Sequence, residues 1–210
     1  MSNVVLVIDM TRAFLEEGHA LYCGRRARNI IPNIRTLLEN ELSRGSRALF
    51  LNDHHDPDDL EFKMFPPHSI AGTRETEVIP ELVDYAGEII PKKRYSAFWD
   101  TGLANRLLEL NPDKIIITGV CTDICVCHTA GDARDRDYRV EVPVDCVASF
   151  NEEMHFFALR HMEDVLGVKL TSVTGVKPER SRFEPSTAVL NGQTADIYFA
   201  RTVEILRHEN

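Results

Sequence analysis

Short apolar runs alternate along this chain with segments whose apolar residues recur at helical spacing. The apolar runs predict strands, at residues 3–9, 47–53, 87–93, 113–120, 138–146 and 168–172. The segments with helical spacing predict helices, over residues 27–45, 102–110, 122–136 and 151–167. Strands that alternate with helices predict a mainly parallel, Rossmann-like sheet in a three-layer α-β-α sandwich of the α/β class.

Two segments depart from this alternation. Residues 54–85 have no long periodic pattern and are rich in Asp, Pro and His, and a loop of this length in a compact domain is usually functional or mobile. In the tail, residues 176–193 predict a loop and residues 194–210 a terminal helix. We therefore expect one domain over 1–172, with an extension over 173–210 that packs on the same domain; whether the extension also mediates dimerisation stays open.

Composition and charge limit the classes of function. The 210 residues are 43% hydrophobic, which suits one globular domain, and the net charge of −9 argues against binding to nucleic acid or to an anionic membrane surface. No apolar run reaches the roughly 18 residues of a transmembrane helix, and the N-terminal run lacks the basic segment of a signal peptide. The five cysteines are expected to be free thiols, so we expect a cytoplasmic protein.

Chemically useful groups follow several of the predicted strands. Asp9, Asp53, Lys92 and the turn at 119–125 lie at or just after strand ends. The carboxyl ends of parallel strands share one edge of a sheet, so we expect these groups to converge there. Taken singly, each has an ordinary explanation, since an Asp after a strand often caps a helix and a Lys at a strand end is usually solvated.

Three cysteines lie close together at 121, 125 and 127. Their spacings, C-x3-C and C-x-C, lack the second cysteine pair of a structural zinc site. Cys125 falls in the first turn of a helix that begins near Thr122, where the helix dipole and unpaired N–H groups lower the pKa of a thiol and can hold an oxyanion. Cys125 is therefore the candidate nucleophile, whereas Cys127 and Cys146 are expected to be small buried apolar residues.

The loop after the second strand offers metal ligands. Asp53 and His55 are one residue apart, and Glu61 and His68 follow. A carboxylate with two imidazoles suits Zn²⁺, Fe²⁺ or Mn²⁺ and leaves positions open for water or substrate. From the residues alone, an ordinary polar surface loop remains an equal alternative.

Three motifs resemble those of one known family, the isochorismatase-like cysteine hydrolases. "GVCTDICV" (119–126) resembles the family's nucleophile turn, "KKRYSAF" (92–98) its lysine motif and "VLVIDMTRAF" (5–14) its N-terminal aspartate strand. The motifs occur in the family's order, and the resemblance covers about residues 3–172. It implies the isochorismatase-like hydrolase fold.

The resemblance also implies roles for individual residues. It implies a triad of Asp9, Lys92 and Cys125, in which the lysine favours the thiolate and the aspartate moves a proton. Lys92 is preferred to Lys93 because the family's lysine stands four places before the Ser of its Y-S-A-F element. The oxyanion hole would come from the backbone N–H groups of Cys121 and Cys125, beside a non-proline cis peptide bond that precedes Cys121.

Within the family, the D-x-H, "FPPH" and "GT" pattern of the loop resembles the metal loop of nicotinamidases. The resemblance implies one divalent metal ion, Zn²⁺ or else Fe²⁺ or Mn²⁺, with Asp53, His55 and His68 as ligands and Glu61 as a ligand either directly or through water. It further implies that three aromatic residues flank the pyridine ring of the substrate: Phe14, Phe65 and Tyr95.

We therefore expect an amidase of NAD salvage that hydrolyses nicotinamide to nicotinate and ammonia through a thioester at Cys125. It should accept close analogues such as pyrazinamide and form a homo-oligomer. One alternative is a hydrolase of the same fold that acts on another small amide or carbamoyl compound. A second is a noncatalytic metal-binding or redox-sensing protein. A dinucleotide-dependent oxidoreductase is disfavoured, because no G-x-G-x-x-G follows the first strand.

Overall fold

The computed structural model of this chain describes residues 2–176, 187–190 and 193–196. A seven-stranded sheet forms its centre, and its strands are β1 Val4–Ile8, β2 Arg47–Asp53, β3 Ile89–Lys92, β4 Ile115–Val120, β5 Val140–Pro143, β6 Val147–Ala148 and β7 Lys169–Thr171. The order is β3-β2-β1-β4-β5-β7, with β6 paired to the end of β4, and every pairing in this sheet is parallel. The predicted parallel sheet is confirmed.

Helices connect most of these strands. They are α1 Arg12–Leu15, α2 Gly24–Asn29, α3 Ile31–Ser43, α4 Leu103–Leu110, α5 Cys127–Arg134 and α6 Glu152–Asp164. The helix predicted over 27–45 is two helices, because Pro32 lacks an N–H and is accommodated in the first turn of α3. Asn151 caps α6 as predicted, since its side chain accepts a hydrogen bond from the backbone N–H of Met154 at 3.1 Å.

The hydrophobic core lies on both faces of the sheet. All five residues of β1 are buried, and they alternate between two clusters. Leu6 packs in a cluster with residues of α4, α5 and α6, whereas Val7 packs in a cluster with residues of α2 and α3. Each fully buried Leu or Val contributes roughly 1.5–3 kcal/mol to folding. The three-layer sandwich is therefore confirmed. No helix in the described part of the chain is long and apolar enough to span a membrane.

The tail differs from its prediction. An antiparallel pair, β8 Thr187–Leu190 and β9 Gln193–Asp196, forms where a loop and the start of a helix were expected, so those predictions are wrong at these residues. The strands flank an Asn-Gly dipeptide, which is a strong hairpin signal that outweighs the weak helical spacing. The other residues of the predicted loop and helix, apart from Val176, lie outside the described residues. The domain boundary at 172 stays a prediction.

The carboxyl ends of β1, β2, β3 and β4 meet at one edge. Asp53 and Lys92 are register partners across β2 and β3, and Ile8 is the partner of Gly119 across β1 and β4. Gly119 has φ +108°, and a Cβ atom there would lie 2.0 Å from the carbonyl oxygen of Ile8. Only glycine permits this approach. Asp9, directly after β1, has φ +52°.

Candidate active site

The three residues of the predicted triad lie together at this edge. Lys92 Nζ is 2.9 Å from Asp9 Oδ2 and 3.4 Å from Cys125 Sγ. Asp9 and Lys92 are each 1% exposed and Cys125 is 6% exposed. The structure therefore brings together the three residues named from the sequence, with the ammonium group of Lys92 in contact with both the carboxylate and the thiol.

Local backbone geometry sets these positions. The left-handed conformation of Asp9 turns its carboxylate towards β2, where Oδ1 accepts a hydrogen bond from the backbone N–H of Asp53 at 2.9 Å. Lys92 ends β3 and also forms an ion pair with Asp53. Cys125 lies in a π-helical turn, Thr122–Val126, that precedes α5. The peptide bond before Cys121 is cis, as the resemblance implied.

Burial is the largest single influence on the pKa of each residue of the triad. Burial, together with the charge of Asp53, raises the pKa of Asp9 to about 7, although Lys92 opposes the shift. Burial alone would lower the pKa of Lys92, but Asp53 and Asp9 outweigh it and raise that pKa well above its usual range. The lysine is therefore an ammonium group at neutral pH.

The pKa of Cys125 corrects a sequence-based expectation. Burial raises this pKa well above its usual range, and the opposing effect of Lys92 does not compensate. The net pKa of the thiol is therefore raised, whereas the position of Cys125 in a helical turn led us to expect a lowered one. A neutral thiol needs a nearby base before it can act as a nucleophile, and a carboxylate oxygen of Asp9 lies within 4.8 Å of Cys125 Sγ.

The predicted metal ligands form a second group that shares this pocket. The candidate ligand atoms of Asp53, His55 and His68 lie within 4.8 Å of one another. His55 Nε2 is 3.6 Å and His68 Nε2 is 3.9 Å from Asp53 Oδ2, and Glu61 Oε1 is 4.0 Å from His68 Nε2. All four side chains are buried.

A divalent metal ion fits this group. His55 Nε2 is buried and has no hydrogen-bond partner among the described residues. Bonds of about 2.1 Å in a tetrahedral site place ligand atoms roughly 3.4 Å apart, close to the separations found here. A bound cation would satisfy the unpartnered nitrogen and neutralise buried carboxylates.

The outer nitrogens of both histidines are held by acceptors. His68 Nδ1 donates to the carbonyl oxygen of Pro66 at 2.9 Å, and His55 Nδ1 donates to Asp59 Oδ2 at 3.2 Å. Each Nε2 therefore presents its lone pair to the site. Asp59 was missed in the sequence, because nothing local distinguishes it from Asp56 and Asp58 nearby.

Apolar side chains line much of the pocket. The three predicted wall residues, Phe14, Phe65 and Tyr95, all line it. Leu21, Ile124 and Phe150 also line it and were not predicted, since each is distant in sequence from the wall residues or looks like an ordinary core residue. A flat ring suits such walls.

The other cysteines have packing positions, and none of the five is in a disulfide. Cys146 is fully buried and Cys127 is half-buried. Cys121 Sγ lies 3.5 Å from Cys23 Sγ in the core. The prediction of free thiols is confirmed.

Comparison with known proteins agrees with this geometry. The family model described as "Isochorismatase domain" matches residues 3–174. A relative named "Uncharacterized isochorismatase family protein PncA", from Bacillus subtilis, is 34% identical over 181 residues, with 81% of this chain and 99% of the relative covered.

Solved structures with a similar fold include the following two. The nicotinamidase/pyrazinamidase PncA from Bacillus subtilis has a TM-score of 0.77 and 36% identity and covers 82% of this chain and 100% of its own. The pyrazinamidase of Pyrococcus horikoshii in complex with zinc has a TM-score of 0.75 and 27% identity, and it covers 82% of this chain and 99% of its own.

Proposed function

Because this chain belongs to the isochorismatase family of hydrolases, we propose that it is a metal-dependent cysteine amidohydrolase that converts nicotinamide to nicotinate and ammonia. The observation that carries the proposal is the position of Lys92 Nζ, within 3.4 Å of the Cys125 thiol and 2.9 Å of the Asp9 carboxylate, beside a group of metal ligands. The nicotinamidases among the similar structures support the choice of substrate.

The triad accounts for both halves of an amide hydrolysis. Asp9 accepts the proton of the Cys125 thiol while the sulfur attacks the amide carbon, and then gives this proton to the nitrogen, which leaves as ammonia. A water molecule hydrolyses the resulting thioester: its oxygen attacks the acyl carbon, its proton passes to Asp9, and the thiol is restored. A pKa of about 7 lets Asp9 act in both directions near neutral pH.

The ammonium of Lys92 has a supporting role. It remains charged throughout, because its pKa is well above the usual range. It favours negative charge on the Cys125 sulfur when the proton leaves, and it holds Asp9 Oδ2 at 2.9 Å.

Asp53, His55 and His68 would hold the metal ion, with Glu61 as a direct or water-bridged ligand. A bound Zn²⁺, Fe²⁺ or Mn²⁺ would supply a Lewis acid for a ring nitrogen and a positive charge that would lower the pKa of the neighbouring thiol. Zn²⁺ is our choice, since two imidazoles and carboxylates match its preferred ligands. Phe14, Phe65 and Tyr95 form the walls around the ring.

The substrate test uses amides that differ at one position. Nicotinamide carries one ring nitrogen, meta to the ring carbon that bears the carboxamide, and pyrazinamide carries one meta and one ortho, whereas benzamide has the same shape without a ring nitrogen. Metal-loaded enzyme should release ammonia from nicotinamide and pyrazinamide. Benzamide should react at least roughly 100-fold more slowly, because it has no ring nitrogen through which the metal ion could position it. No ammonia from nicotinamide, with turnover of a carbamoyl compound, would identify a different amide hydrolase of this fold.

The nucleophile test pairs two cysteines. Cys125→Ala should abolish turnover with the fold retained, whereas Cys127→Ala, a change at a half-buried cysteine two residues away, should keep it. Mass spectrometry of acid-quenched enzyme should find the acyl adduct on Cys125. Full activity of Cys125→Ala contradicts the assignment. Reversible oxidation of Cys121 or Cys127 with a functional consequence, and no acyl adduct on Cys125, would favour the noncatalytic sensor.

A further inference from the structure

Asp59 is a buried carboxylate with partners on three sides. Its side chain is 4% exposed. Oδ2 accepts a hydrogen bond from His55 Nδ1 at 3.2 Å, and Oδ1 accepts one from the backbone N–H of Glu61 at 2.9 Å. Arg94 Nη1 lies 2.9 Å from Oδ2 and 3.1 Å from Oδ1. One side chain thus touches two of the four candidate metal-binding residues.

These contacts fix the direction of the ligand atoms. A carboxylate acceptor on Nδ1 keeps the proton there, and it leaves Nε2 of His55 as an electron-pair donor, 3.6 Å from Asp53 Oδ2 and in the same ligand group as His68. A carboxylate acceptor also makes the imidazole a better electron-pair donor to a metal ion than a carbonyl acceptor does. The hydrogen bond to the Glu61 N–H begins the short 3-10 turn Leu60–Lys63, which sets where the Glu61 carboxylate can reach.

Arg94 holds Asp59 from the opposite side. It follows Lys92 by two residues, so its ion pair ties the metal loop to the end of β3. The guanidinium also lies over the ring of Trp99, 5.2 Å from the centroid, and its Nη1 donates to the carbonyl oxygen of Lys93. These contacts restrict the arginine. A restricted cation keeps the buried carboxylate ionised and in place.

We infer that Asp59 and Arg94 are positioning residues for the metal centre: Asp59 orients His55 and Glu61, and Arg94 fixes Asp59 to the strand that carries Lys92. The inference rests on the metal site of the proposed function. Neither residue lines the substrate pocket, and neither takes part in a chemical step.

Four variants test the pair. Asp59→Asn removes the charge with little change of shape, Arg94→Met removes the partner and Arg94→Lys restores the charge without the planar guanidinium. Asp56→Asn is the matched control, because Asp56 lies in the same loop and forms an exposed ion pair with Lys93 at 2.6 Å. The measurement is Zn²⁺ affinity of the metal-stripped full chain, by competition with a chromophoric chelator.

Asp59→Asn should weaken Zn²⁺ binding by roughly 10–100-fold, as loss of an outer-shell carboxylate does elsewhere. Arg94→Met should weaken it less, Arg94→Lys should recover part of the loss, and Asp56→Asn should match the parent. Thermal unfolding of the metal-free proteins distinguishes a loss of fold stability from a loss of metal affinity. Lower unfolding midpoints for Asp59→Asn and Arg94→Met, with Zn²⁺ affinities equal to the parent's, would overturn the inference.

The same proteins separate this inference from the proposed function. Weak Zn²⁺ binding by Asp59→Asn supports the positioning role of Asp59 and Arg94 even if the parent enzyme releases no ammonia from nicotinamide. In that case only the substrate assignment fails. Equal Zn²⁺ affinity in parent and Asp59→Asn overturns the pair even if nicotinamide is hydrolysed. A parent protein that binds no Zn²⁺ overturns the pair together with the metal site.

Discussion

The backbone N–H of Asp53 donates a hydrogen bond to Oδ1 of Asp9 at 2.9 Å, and this contact joins the two halves of the site. The side chain of Asp53 faces His55 and also pairs with Lys92. Asp53, a member of the metal group, therefore contacts two residues of the triad. A change of charge in one group must therefore shift the pKa values in the other, as the raised pKa of Asp9 beside the charge of Asp53 already indicates.

Replacing the buried ammonium should inactivate the enzyme. In Lys92→Met, Asp9 and Asp53 lose their cation and the Cys125 sulfur loses the charge that favours thiolate. We expect kcat/KM for nicotinamide to fall by roughly 10²–10⁴-fold and alkylation of Cys125 by iodoacetamide to slow. Two carboxylates without a buried partner should also lower the free energy of unfolding, by about 3–5 kcal/mol.

Lys93→Met is the control for this change, since Lys93 is adjacent in sequence but exposed and paired with Asp56. Its kinetics and alkylation rate should match the parent. Circular dichroism establishes that Lys92→Met is folded at the assay temperature. A folded Lys92→Met enzyme within about tenfold of the parental kcat/KM would contradict the role of the ammonium.

Removal of the metal ion should impair positioning of the substrate without removing the nucleophilicity of the Cys125 thiol. After dialysis against a chelator, we expect nicotinamide turnover to fall at least roughly 100-fold, because the ring is no longer held beside the sulfur. Cys125 should still be alkylated, and Zn²⁺ should restore turnover. Undiminished turnover of a protein with no metal by elemental analysis would refute metal dependence. The Cys125→Ala protein should bind Zn²⁺ like the parent.

The sequence sufficed to predict the fold, and it named most of the residues that the structure brings together at the candidate site, because both depend on short-range patterns. Parallel strands expose their carboxyl ends at one edge, so Asp9, Asp53 and Lys92 could be brought together before any coordinates were available. Cys125 was singled out by its place in the first turn of a predicted helix, and the motifs then agreed with that choice.

Properties set by three-dimensional surroundings could not be predicted. The pKa of Cys125 is raised because the thiol is buried from several sides, and spacing within one turn does not reveal this. Asp59 could not be distinguished from its exposed neighbour Asp58, since the difference is a contact with Arg94, 35 residues away. The wall residue Phe150 comes from a segment that has no motif at all.

The contact of Gly119 with Ile8 predicts a large difference between two glycines. In Gly119→Ala, the new methyl group would overlap the Ile8 carbonyl, and the backbone would also have to keep a positive φ. We expect a loss of at least about 2 kcal/mol in the free energy of unfolding. Because Ile8 precedes Asp9, nicotinamide turnover should fall as well.

Gly131→Ala is the comparison for this change. Gly131 lies in α5, and a Cβ atom there would be 3.7 Å from Leu166 Cδ1, an ordinary contact. Alanine in a helix should leave stability unchanged or raise it by about 0.5–1 kcal/mol. Urea denaturation of both variants gives the two values, and equal stabilities would show that the β1–β4 approach relaxes easily.

Asp145 predicts an acid-sensitive attachment of the segment that follows β7. Its carboxylate accepts hydrogen bonds from Ser172 Oγ at 2.8 Å, from Val173 N at 3.0 Å and from Thr174 N at 2.8 Å. Although burial opposes the shift, these hydrogen bonds lower the pKa of Asp145 below its usual value. The folded state therefore gains stability from the charged form above the unfolded pKa of about 3.9, and loses this contribution as the pH falls through the lower folded value.

Asp145→Asn should consequently lower the free energy of unfolding at pH 7 by about 1–3 kcal/mol, the contribution of hydrogen bonds to a charged acceptor. The difference from the parent should shrink as the pH falls below about 4, because the unfolded parent then binds a proton at Asp145 that the folded protein binds only at lower pH. Asp113→Asn, at an exposed aspartate with no carboxylate hydrogen bond to described residues, should match the parent at every pH. Urea denaturation between pH 7 and about pH 3.5 measures all three proteins. A difference between Asp145→Asn and the parent that is constant across this range would show that the carboxylate charge does not hold the segment.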